Sequence, residues 1–391
     1  MKSIFRLSNL RAFSALVALA LAIPVSLVGF TGFYTWLSPF IMLNSVFALK
    51  SFVGLNIVAF LVLIYVLFRK RWFCHHICPV GWSCDMVSDL NKRKIFTYSR
   101  LPDINKWLAM LSLAAAIVGF PLFIILDPLS LFNGFFTIFS GKLSLAVLIS
   151  LSGFPLLLLL HIFFPGIWCA KLCPLGGLQL VMADVKVLLH RVFSNKKPES
   201  SVTTSGRRYF LMSGIGLLTG AMIPRFLKSP AESMIRPPAA VEHILFNSLC
   251  CRCGNCNKAC PTGIIIPYTD FSNIMAWMTP EISFKEGYCL ETCNLCSRVC
   301  PTGAINLFSI KAKSQLFIGI AEFHPENCLL LNNKECVRCK ESCKYNALEF
   351  IADGNIFNMV PLVSAEKCVG CGACAVVCPE NCIIIKPPLT K

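Results

Sequence analysis

Twenty of the 23 cysteines in the chain fall in motifs whose spacing suits iron–sulfur clusters. A [4Fe–4S] cluster needs four converging thiolates, and three closely spaced cysteines commonly take the fourth from a second motif. Four runs between residues 250 and 378 have this form. The first and fourth read C-x2-C-x2-C-x3-C-P, the second C-x3-C-x2-C-x3-C-P and the third C-x7-C-x2-C-x3-C. They predict four [4Fe–4S] clusters and a role in electron transfer. The predicted ligands are Cys250, Cys253, Cys256, Cys260, Cys289, Cys293, Cys296, Cys300, Cys328, Cys336, Cys339, Cys343, Cys368, Cys371, Cys374 and Cys378.

Two other kinds of cysteine-rich site fit this pattern less well. Disulfide frameworks belong to oxidising compartments and do not repeat this spacing. A structural zinc site needs only four ligands, usually as two separated pairs. Each run also precedes a short apolar stretch, at residues 264–266, 304–308, 347–351 and 383–385. These stretches predict the strands of an α+β bacterial-type ferredoxin domain at residues 241–391, with two dicluster modules. The spacing leaves open whether the runs pair sequentially or in nested order, first with fourth and second with third.

A different cysteine motif occurs twice within residues 1–195. Both copies read C-x3-C-P-[VL]-G. Proline follows the last cysteine here, as it does in most of the ferredoxin-like runs, so the two copies predict a fifth iron–sulfur cluster. The alternatives are a redox-active dithiol pair or a thiol site for a partner. The ligands would be Cys74, Cys78, Cys169 and Cys173. The three remaining cysteines are Cys84, Cys251 and Cys382. Cys251 and Cys382 adjoin predicted clusters and could be alternative ligands, but we expect packed thiols.

The elements that carry this second motif are strongly apolar. Hydrophobic residues make up 55% of the chain and charged residues 14%. Five stretches, at residues 12–31, 49–68, 107–126, 143–165 and 209–227, are long enough to cross a hydrocarbon core of ~30 Å. They predict an α-helical membrane domain of duplicated two-span hairpins at residues 1–195. A linker at 196–240 would contain a fifth span, and the ferredoxin domain would follow.

Charge sets the orientation predicted for these spans. The net charge is +16, and the basic residues flank the apolar stretches rather than forming a patch with aromatic readers, which excludes nucleic-acid binding. The positive-inside rule then predicts a multi-pass protein of the bacterial inner membrane with a cytoplasmic N-terminus and a periplasmic ferredoxin domain. Arg207 and Arg208 begin an R-R-x-F-L pattern, typical of a twin-arginine export signal, before the fifth stretch.

The loops between the predicted spans hold further polar candidates. Asn44 and Asn133 occupy matching positions in two apolar, aromatic loops, which could line a quinone pocket or anchor the protein at an interface. Asp127 is a candidate proton acceptor for a quinone, and the simpler interpretation is a helix-end turn with Pro128. His161 lies within a predicted span and would either pack there or contact a haem or quinone.

The whole chain resembles two known protein types joined together. Residues 1–195, with their paired C-x3-C-P motifs, resemble the NapH/MauN-type membrane polyferredoxins. Residues 205–391, with the arginine pair and four cysteine runs, resemble the NapG/MauM-type ferredoxins. The resemblance implies electron passage from quinol to a periplasmic reductase. Two features of the sequence depart from this resemblance. The predicted exported module stands where the membrane polyferredoxins usually have a cytoplasmic dicluster tail, and Lys344 follows Cys343 where proline is usual.

Together these patterns predict a membrane-bound iron–sulfur electron-transfer protein. It would pass electrons between the quinone pool, or a cytoplasmic donor, and a periplasmic reductase or cytochrome. Its own enzymatic activity would be at most that of a quinol dehydrogenase. The alternative is an accessory or regulatory redox protein that serves the maturation or reactivation of a partner metalloenzyme.

Overall fold

The computed structural model describes residues 2–23, 28–90, 101–140, 148, 152–193, 200–226, 234–332, 334–352 and 359–387. The chain divides into two compact units. The helical unit comprises residues 1–228, 244–255 and 301–304, and the α+β unit comprises residues 229–243, 256–300 and 305–391. Two short segments of the predicted ferredoxin domain therefore belong to the helical unit.

Within residues 2–226, the described part of the helical unit contains eleven α-helices. They are α1 Lys2–Ala22, α2 Phe33–Trp36, α3 Pro39–Leu49, α4 Ile57–Phe68, α5 Trp72–His76, α6 Pro79–Leu90, α7 Ile104–Ile117, α8 Pro128–Phe135, α9 Gly153–Phe163, α10 Pro174–Phe193 and α11 Ser200–Phe226. Four of them begin with proline, whose fixed φ suits the first helical position. Two of these have side-chain caps: Ser38 accepts from the Ile41 amide at 3.3 Å, and Asp127 caps α8. A π-helical turn, Trp168–Leu172, precedes α10.

The prediction of five membrane spans is wrong for the part of the chain that is described. None of the helices there is both long enough and apolar enough to cross a membrane. The apolar stretches are divided by backbone breaks: Lys50 adopts a left-handed φ of 53° after α3, and Gly119, with φ of 89°, follows the end of α7. For the same reason, the structure does not support the predicted inner-membrane location, with its cytoplasmic N-terminus and periplasmic ferredoxin domain.

Some of the sequence predictions fall on residues outside the described ranges. These are residues 24–27, 143–147 and 149–151 of two predicted spans, residues 91–100 of a basic loop, and residues 194–199 and 227–233 of the predicted linkers.

The core of the helical unit is organised around α7, which packs against α10 and α11. Gly216 and Gly220 of α11 are buried on α7. A Cβ added at Gly216 would lie 2.6 Å from the Leu111 carbonyl oxygen, and one at Gly220 would lie 2.9 Å from the Ala115 Cα. The absence of side chains at these two positions is what allows the helices to approach closely.

The substitution Gly216→Ala should destabilise the helical unit, because its Cβ meets a backbone atom that cannot move away. Overpacking of this kind costs about 1–3 kcal/mol. Gly214→Ala is the matched control, since no atom lies within 4 Å of a Cβ there and the gain in helix propensity is worth about 0.5–1 kcal/mol. Thermal unfolding followed by circular dichroism should give a lower midpoint for the first variant and an unchanged or higher one for the second. Equal midpoints would contradict the packing role.

Short antiparallel ribbons and one-turn helices form the α+β unit. In its described residues, β1 Ile265–Pro267 pairs with β2 Pro280–Ile282, β3 Ile320–Phe323 with β6 Ile383–Lys386, and β4 Leu348–Ala352 with β5 Met359–Val363. Three of the four predicted strand positions are thus strands. The remaining position, residues 304–308, forms an isolated β-bridge between Ile305 and Ala240.

Each cysteine run contains one short helix that carries its third cysteine. After α12 His243–Leu249, these helices are α13 Asn255–Ala259, α14 Leu295–Arg298, α15 Arg338–Ser342 and α16 Ala373–Val377. The fourth cysteine follows each helix by one or two residues, in the connection toward the next element. This separates the last cysteine of a run from the first three.

Candidate iron–sulfur centres

The four C-x3-C-P cysteines line one cavity in the helical unit. We call Cys74, Cys78, Cys169 and Cys173 the helical-unit site. The first cysteine of each pair lies in a short helical turn, α5 or the π-turn, and the second immediately precedes α6 or α10. Helix N-termini carry partial positive charge that favours thiolates. Four soft donors around one cavity are the ligand set that an iron–sulfur cluster needs.

The first copy of the motif folds so that both of its sulfurs face the cavity. Pro79 begins α6, and the Gly81 amide donates to the Cys78 Sγ at 3.4 Å. A Cβ at Gly81 would lie 3.0 Å from the Cys74 carbonyl oxygen. The glycine of the motif therefore lets the backbone of the first cysteine approach the helix.

The second copy repeats this arrangement. Pro174 begins α10, and the Gly176 amide donates to the Cys173 Sγ at 3.4 Å. A Cβ at Gly176 would lie 3.3 Å from the Cys169 carbonyl oxygen. The duplication seen in the sequence is thus a duplication of local geometry.

The thiols of this site are held mainly in a neutral form when no metal is bound. Burial raises the pKa of Cys74 to about 12, and the charge of Cys169 adds to this. A hydrogen bond from the Gln179 Nε2 at 3.0 Å and the charges of Arg71 and Arg11 act in the opposite direction. Burial likewise raises the pKa of Cys173. Metal binding must therefore release protons.

A second cavity, in the α+β unit, joins the last cysteine of the third run to the fourth run. It is lined by Cys343, Cys368, Cys371 and Cys374, which we call the fourth-run site, together with apolar side chains such as Val369 and Ile385. The amide of Ala347 donates to the Cys343 Sγ at 3.3 Å. Burial raises the pKa of Cys374 to about 12.

A third cavity joins the last cysteine of the fourth run to the first three cysteines of the third run. It is lined by Cys328, Cys336, Cys339 and Cys378, the third-run site, with Phe323 and Leu330 among its apolar lining. The amide of Cys382 donates to the Cys378 Sγ at 3.2 Å, as that of Ala347 does to Cys343.

The long gap in the third run is taken up by a compact turn. The backbone carbonyl of Cys328 accepts from the Leu331 and Asn332 amides at 3.1 and 3.2 Å, and Lys334 donates to the Leu329 carbonyl at 3.0 Å. The turn reverses the chain within the gap and returns it to the cavity, so the unusual spacing remains compatible with one site.

The last cysteine of the first run acts electrostatically on the second run. Burial raises the pKa of Cys296, and the charges of Cys289, Cys293 and Cys260 act in the same direction. We call these four residues the second-run site. In the third-run and fourth-run sites the last cysteine of one run shares a cavity with the first three of its neighbour, and the charge of Cys260 acts on the second run in the same order, which supports sequential pairing. The cysteines of the first run are divided between the two units, and the cluster predicted for this run stays a prediction from spacing.

Two of these sites adjoin each other directly. The Cys289 amide donates to the Cys371 carbonyl at 2.8 Å, which links the second-run site to the fourth-run site. Tyr345 lines the fourth-run site, and the charges of both Cys371 and Cys289 raise its pKa after the larger effect of burial.

A buried lysine stands beside the second-run site. Lys313 is 3% exposed, and its ammonium donates to the carbonyls of Leu290 and, at 2.6 Å, Cys293. Its charge and a hydrogen bond lower the pKa of Cys289 against the larger effect of burial.

Comparison with known proteins identifies the type of protein to which these sites belong. The chain is 33% identical over 150 residues to the ferredoxin-type protein NapF of Haemophilus influenzae, which is 38% of this chain and 77% of the relative. The chain belongs to the ferredoxin-type protein family. It is also 30% identical over 196 residues to the ferredoxin-type protein NapG of Escherichia coli (46% of this chain, 84% of the relative). With the methylamine utilization ferredoxin-type protein MauM of Methylobacillus flagellatus it shares 29% identity over 170 residues (42% and 72%).

Family models match the segments that hold the sites. One described as a 4Fe-4S binding domain matches residues 51–96 and 146–197, around the two C-x3-C-P motifs. Another with the same description matches residues 361–384, around the fourth run. No solved structure matches. The predicted iron–sulfur, ferredoxin-type electron-transfer character is confirmed, whereas the likeness of residues 1–195 to membrane polyferredoxins rests on their motifs alone.

The residues predicted to contact a quinone in this ferredoxin-type protein have protein partners. Asp127 accepts from Ser38 at 2.6 Å and from the amides of Leu129 and Ser130, so it caps α8, and burial raises its pKa to about 6. Asn44 donates to the Phe40 carbonyl at 2.8 Å and accepts from Ser112. Quinone binding by these residues, with Asn133, stays a prediction.

The structure also locates residues that sequence patterns did not single out. Lys313, Gln179 and Tyr345 contact or surround the sites from outside the motifs. Of these three residues, only Gln179 could have been found from the sequence, because it occupies the position in the second repeat that Cys84 occupies in the first. Of the remaining thiols, Cys251 packs with Ile41 and Ile124.

Proposed function

We propose that this ferredoxin-type protein carries electrons between two redox partner proteins along adjoining cluster sites. The observation that carries the proposal is the 2.8 Å hydrogen bond between the Cys289 amide and the Cys371 carbonyl. These residues belong to different ligand sets, and their direct contact keeps the two sets adjacent. A bound [4Fe–4S] cluster gains and loses one electron at a time.

Three of the proposed sites follow one another within the α+β unit. The second-run site touches the fourth-run site through Cys289 and Cys371. The fourth-run site adjoins the third-run site because Cys343 and Cys378 are exchanged between them. Apolar side chains around both cavities exclude water, and amides directed at sulfur stabilise bound thiolates. Each of these features suits a fixed path for electrons, since the ligand sets are held by short helices and paired strands.

We further propose that the helical-unit site holds a fifth [4Fe–4S] cluster. Four cysteines line the cavity, and the Gly81, Gly176 and Gln179 N–H groups point to three of their sulfurs. A dithiol pair would not need four converging sulfurs. The match of a 4Fe-4S binding domain model to both segments supports the same assignment.

Iron analysis of the full chain reconstituted without oxygen tests the cluster assignment. We expect about 20 iron atoms per chain, four for each of five clusters, and about 16 in the Cys173→Ala variant. Cys251→Ala is the matched control, because this buried cysteine of the same unit lies outside every proposed ligand set, and it should keep the wild-type content. A wild-type content of about 16 that Cys173→Ala leaves unchanged would remove the fifth cluster.

Electron passage is tested on the same preparation. Protein reduced with dithionite and freed of reductant should return about one electron per cluster to an oxidised haem protein such as cytochrome c, with the iron content retained. Clusters that assemble fully and yet exchange no electrons with any soluble acceptor would contradict the proposal and favour an accessory role in partner maturation.

A further inference from the structure

A buried histidine of the helical unit stands next to the helical-unit site. His161 is 1% exposed and lies in the last turn of α9. Its Nδ1 accepts a hydrogen bond from the Gly166 amide at 3.3 Å. Its Nε2 is buried and has no hydrogen-bond partner among the residues that the structure describes. A buried, unpartnered ring nitrogen is costly unless something accepts its proton or supplies one.

Because the Gly166 amide occupies Nδ1, Nε2 is the ring nitrogen left to interact with the two sulfurs nearby. Donor atoms of His161, Cys84 and Cys169 all lie within 4.8 Å of one another. Cys169 is one of the four cysteines of the helical-unit site, and Cys84 is a fully buried residue of α6. Three potential metal ligands therefore meet beside the cavity that the four cysteines line.

The tautomer of His161 argues against a separate metal ion there. Because Nδ1 accepts from the Gly166 amide, it presents a lone pair, and the single proton of the neutral ring is on Nε2. A metal at Nε2 would need the lone pair on that atom instead, with Nδ1 donating to an acceptor. The ring is thus arranged to donate an N–H toward sulfur.

The duplicated motif gives an independent reason for a donor at this place. In one repeat, Gln179 donates to Cys74, the first cysteine of the other repeat, at 3.0 Å. The residue that corresponds to Gln179 is Cys84, which faces Cys169, the counterpart of Cys74. A cysteine side chain is shorter than glutamine and its S–H is a weak donor. His161 occupies the space next to it, where the corresponding residue of the first repeat is Val66.

We propose that His161, placed beside Cys84, donates a hydrogen bond from Nε2 to the Cys169 sulfur and thereby raises the reduction potential of the cluster at the helical-unit site. This inference rests on the fifth cluster proposed above. The other three sulfurs already have N–H donors in Gln179, Gly81 and Gly176. His161 completes the set. Hydrogen bonds to ligand sulfurs favour the reduced, more negative state of a cluster.

Potentiometric titration followed by electron paramagnetic resonance tests the role of His161 in the full chain. The signal of the fifth cluster is identified as the one lost in Cys173→Ala. In His161→Phe, which keeps a planar ring and removes the N–H, we expect the equilibrium constant for one-electron reduction of this cluster to fall about tenfold, a shift of 59 mV to lower potential. The potentials of the other clusters should not change.

A swap between the repeats provides the rescue. The double variant C84Q/H161V surrounds Cys169 with the same glutamine and valine side chains that surround Cys74. The equilibrium constant for one-electron reduction of its fifth cluster should return to within a few-fold of the wild-type value. Gln179→Leu, which removes the donor to Cys74, should lower the potential as His161→Phe does. If His161→Phe proves unstable, His161→Val, compared with the double variant, measures the contribution of His161 instead.

The outcomes separate this inference from the proposal on which it rests. No signal lost in Cys173→Ala would remove the fifth cluster itself. A fifth cluster whose potential is the same in His161→Phe and in the wild type would overturn only the role of His161. One equivalent of zinc, retained by the wild type and lost in His161→Phe, would overturn it in favour of a mononuclear metal site at Cys84, His161 and Cys169.

Discussion

Replacing Cys343 with alanine should remove the cluster of the fourth-run site and leave the third-run site filled. Cys343 follows the third run in sequence, but it lines the cavity of Cys368, Cys371 and Cys374. Loss of one of four thiolates leaves three ligands and an uncompensated position, which a [4Fe–4S] cluster tolerates poorly. We expect the iron content to fall by about four atoms per chain.

The same variant should interrupt electron passage, because the fourth-run site stands between the second-run and third-run sites. Stopped-flow reduction should show the second-run and third-run clusters reducing independently, with transfer between them slowed by at least an order of magnitude.

The reciprocal variant, Cys378→Ala, is the matched control. It should empty the third-run site and preserve the fourth-run site together with its link to Cys289. Mössbauer and paramagnetic resonance spectra of the two variants should therefore lack different clusters. If Cys343→Ala instead removed the cluster of the second-run site, the runs would be paired in nested order and the sequential arrangement would be wrong.

The substitution Lys313→Met should lower the reduction potential of the second-run cluster. Burial raises the pKa of Cys289, and the buried ammonium, which lies against the Leu290 and Cys293 carbonyls, opposes that rise. The ammonium therefore stabilises negative charge at this site. Unit charges 4 Å apart interact by about 4 kcal/mol at an effective dielectric constant of ~20. The greater distance to the cluster reduces this to about 2 kcal/mol, a shift on the order of 100 mV for one electron.

Methionine has a length similar to that of lysine, so the packing of the segment should survive. Lys311→Met removes an exposed lysine two residues away and should leave the potential unchanged, because solvent screens its charge. The measurement is a redox titration of the full chain in which the second-run signal is assigned by its loss in Cys289→Ala. Equal potentials in the two lysine variants would show that Lys313 has only a structural role.

The ligand sets could largely be predicted because cysteine spacing constrains cluster geometry directly. The spacing could not decide pairing, however, because Cys343 and Cys378 are equally distant from their own runs and only the tertiary fold brings each to the other's cavity. The apolar stretches led to the wrong prediction of membrane spans for a similar reason. A segment such as 107–126 has the same composition whether it lies in lipid or, as Ala109 and Ala115 do, against other helices, and Gly119 ends its helix early.

Residues that tune a site are harder still to find from sequence. Lys313 reaches the second-run site from a separate 3₁₀ turn, Ile310–Gln315, and nothing in the spacing of the run points to it. His161 appeared as an isolated polar residue in an apolar helix. Its position beside Cys169 is recognised only in the structure, by comparison with Gln179, which contacts the corresponding cysteine, Cys74.

The exchange of last cysteines between the third and fourth runs has a consequence for biosynthesis. When the ribosome has added Cys343, the nascent chain holds three ligands of one site and a single ligand of the other, so neither is complete. Cys374 then completes the fourth-run site, and Cys378 completes the third-run site a few residues later. The site that begins first is finished last, and a chain truncated before residue 368 would carry neither cluster. Loading of both sites with iron and sulfide must therefore follow translation as far as Cys378.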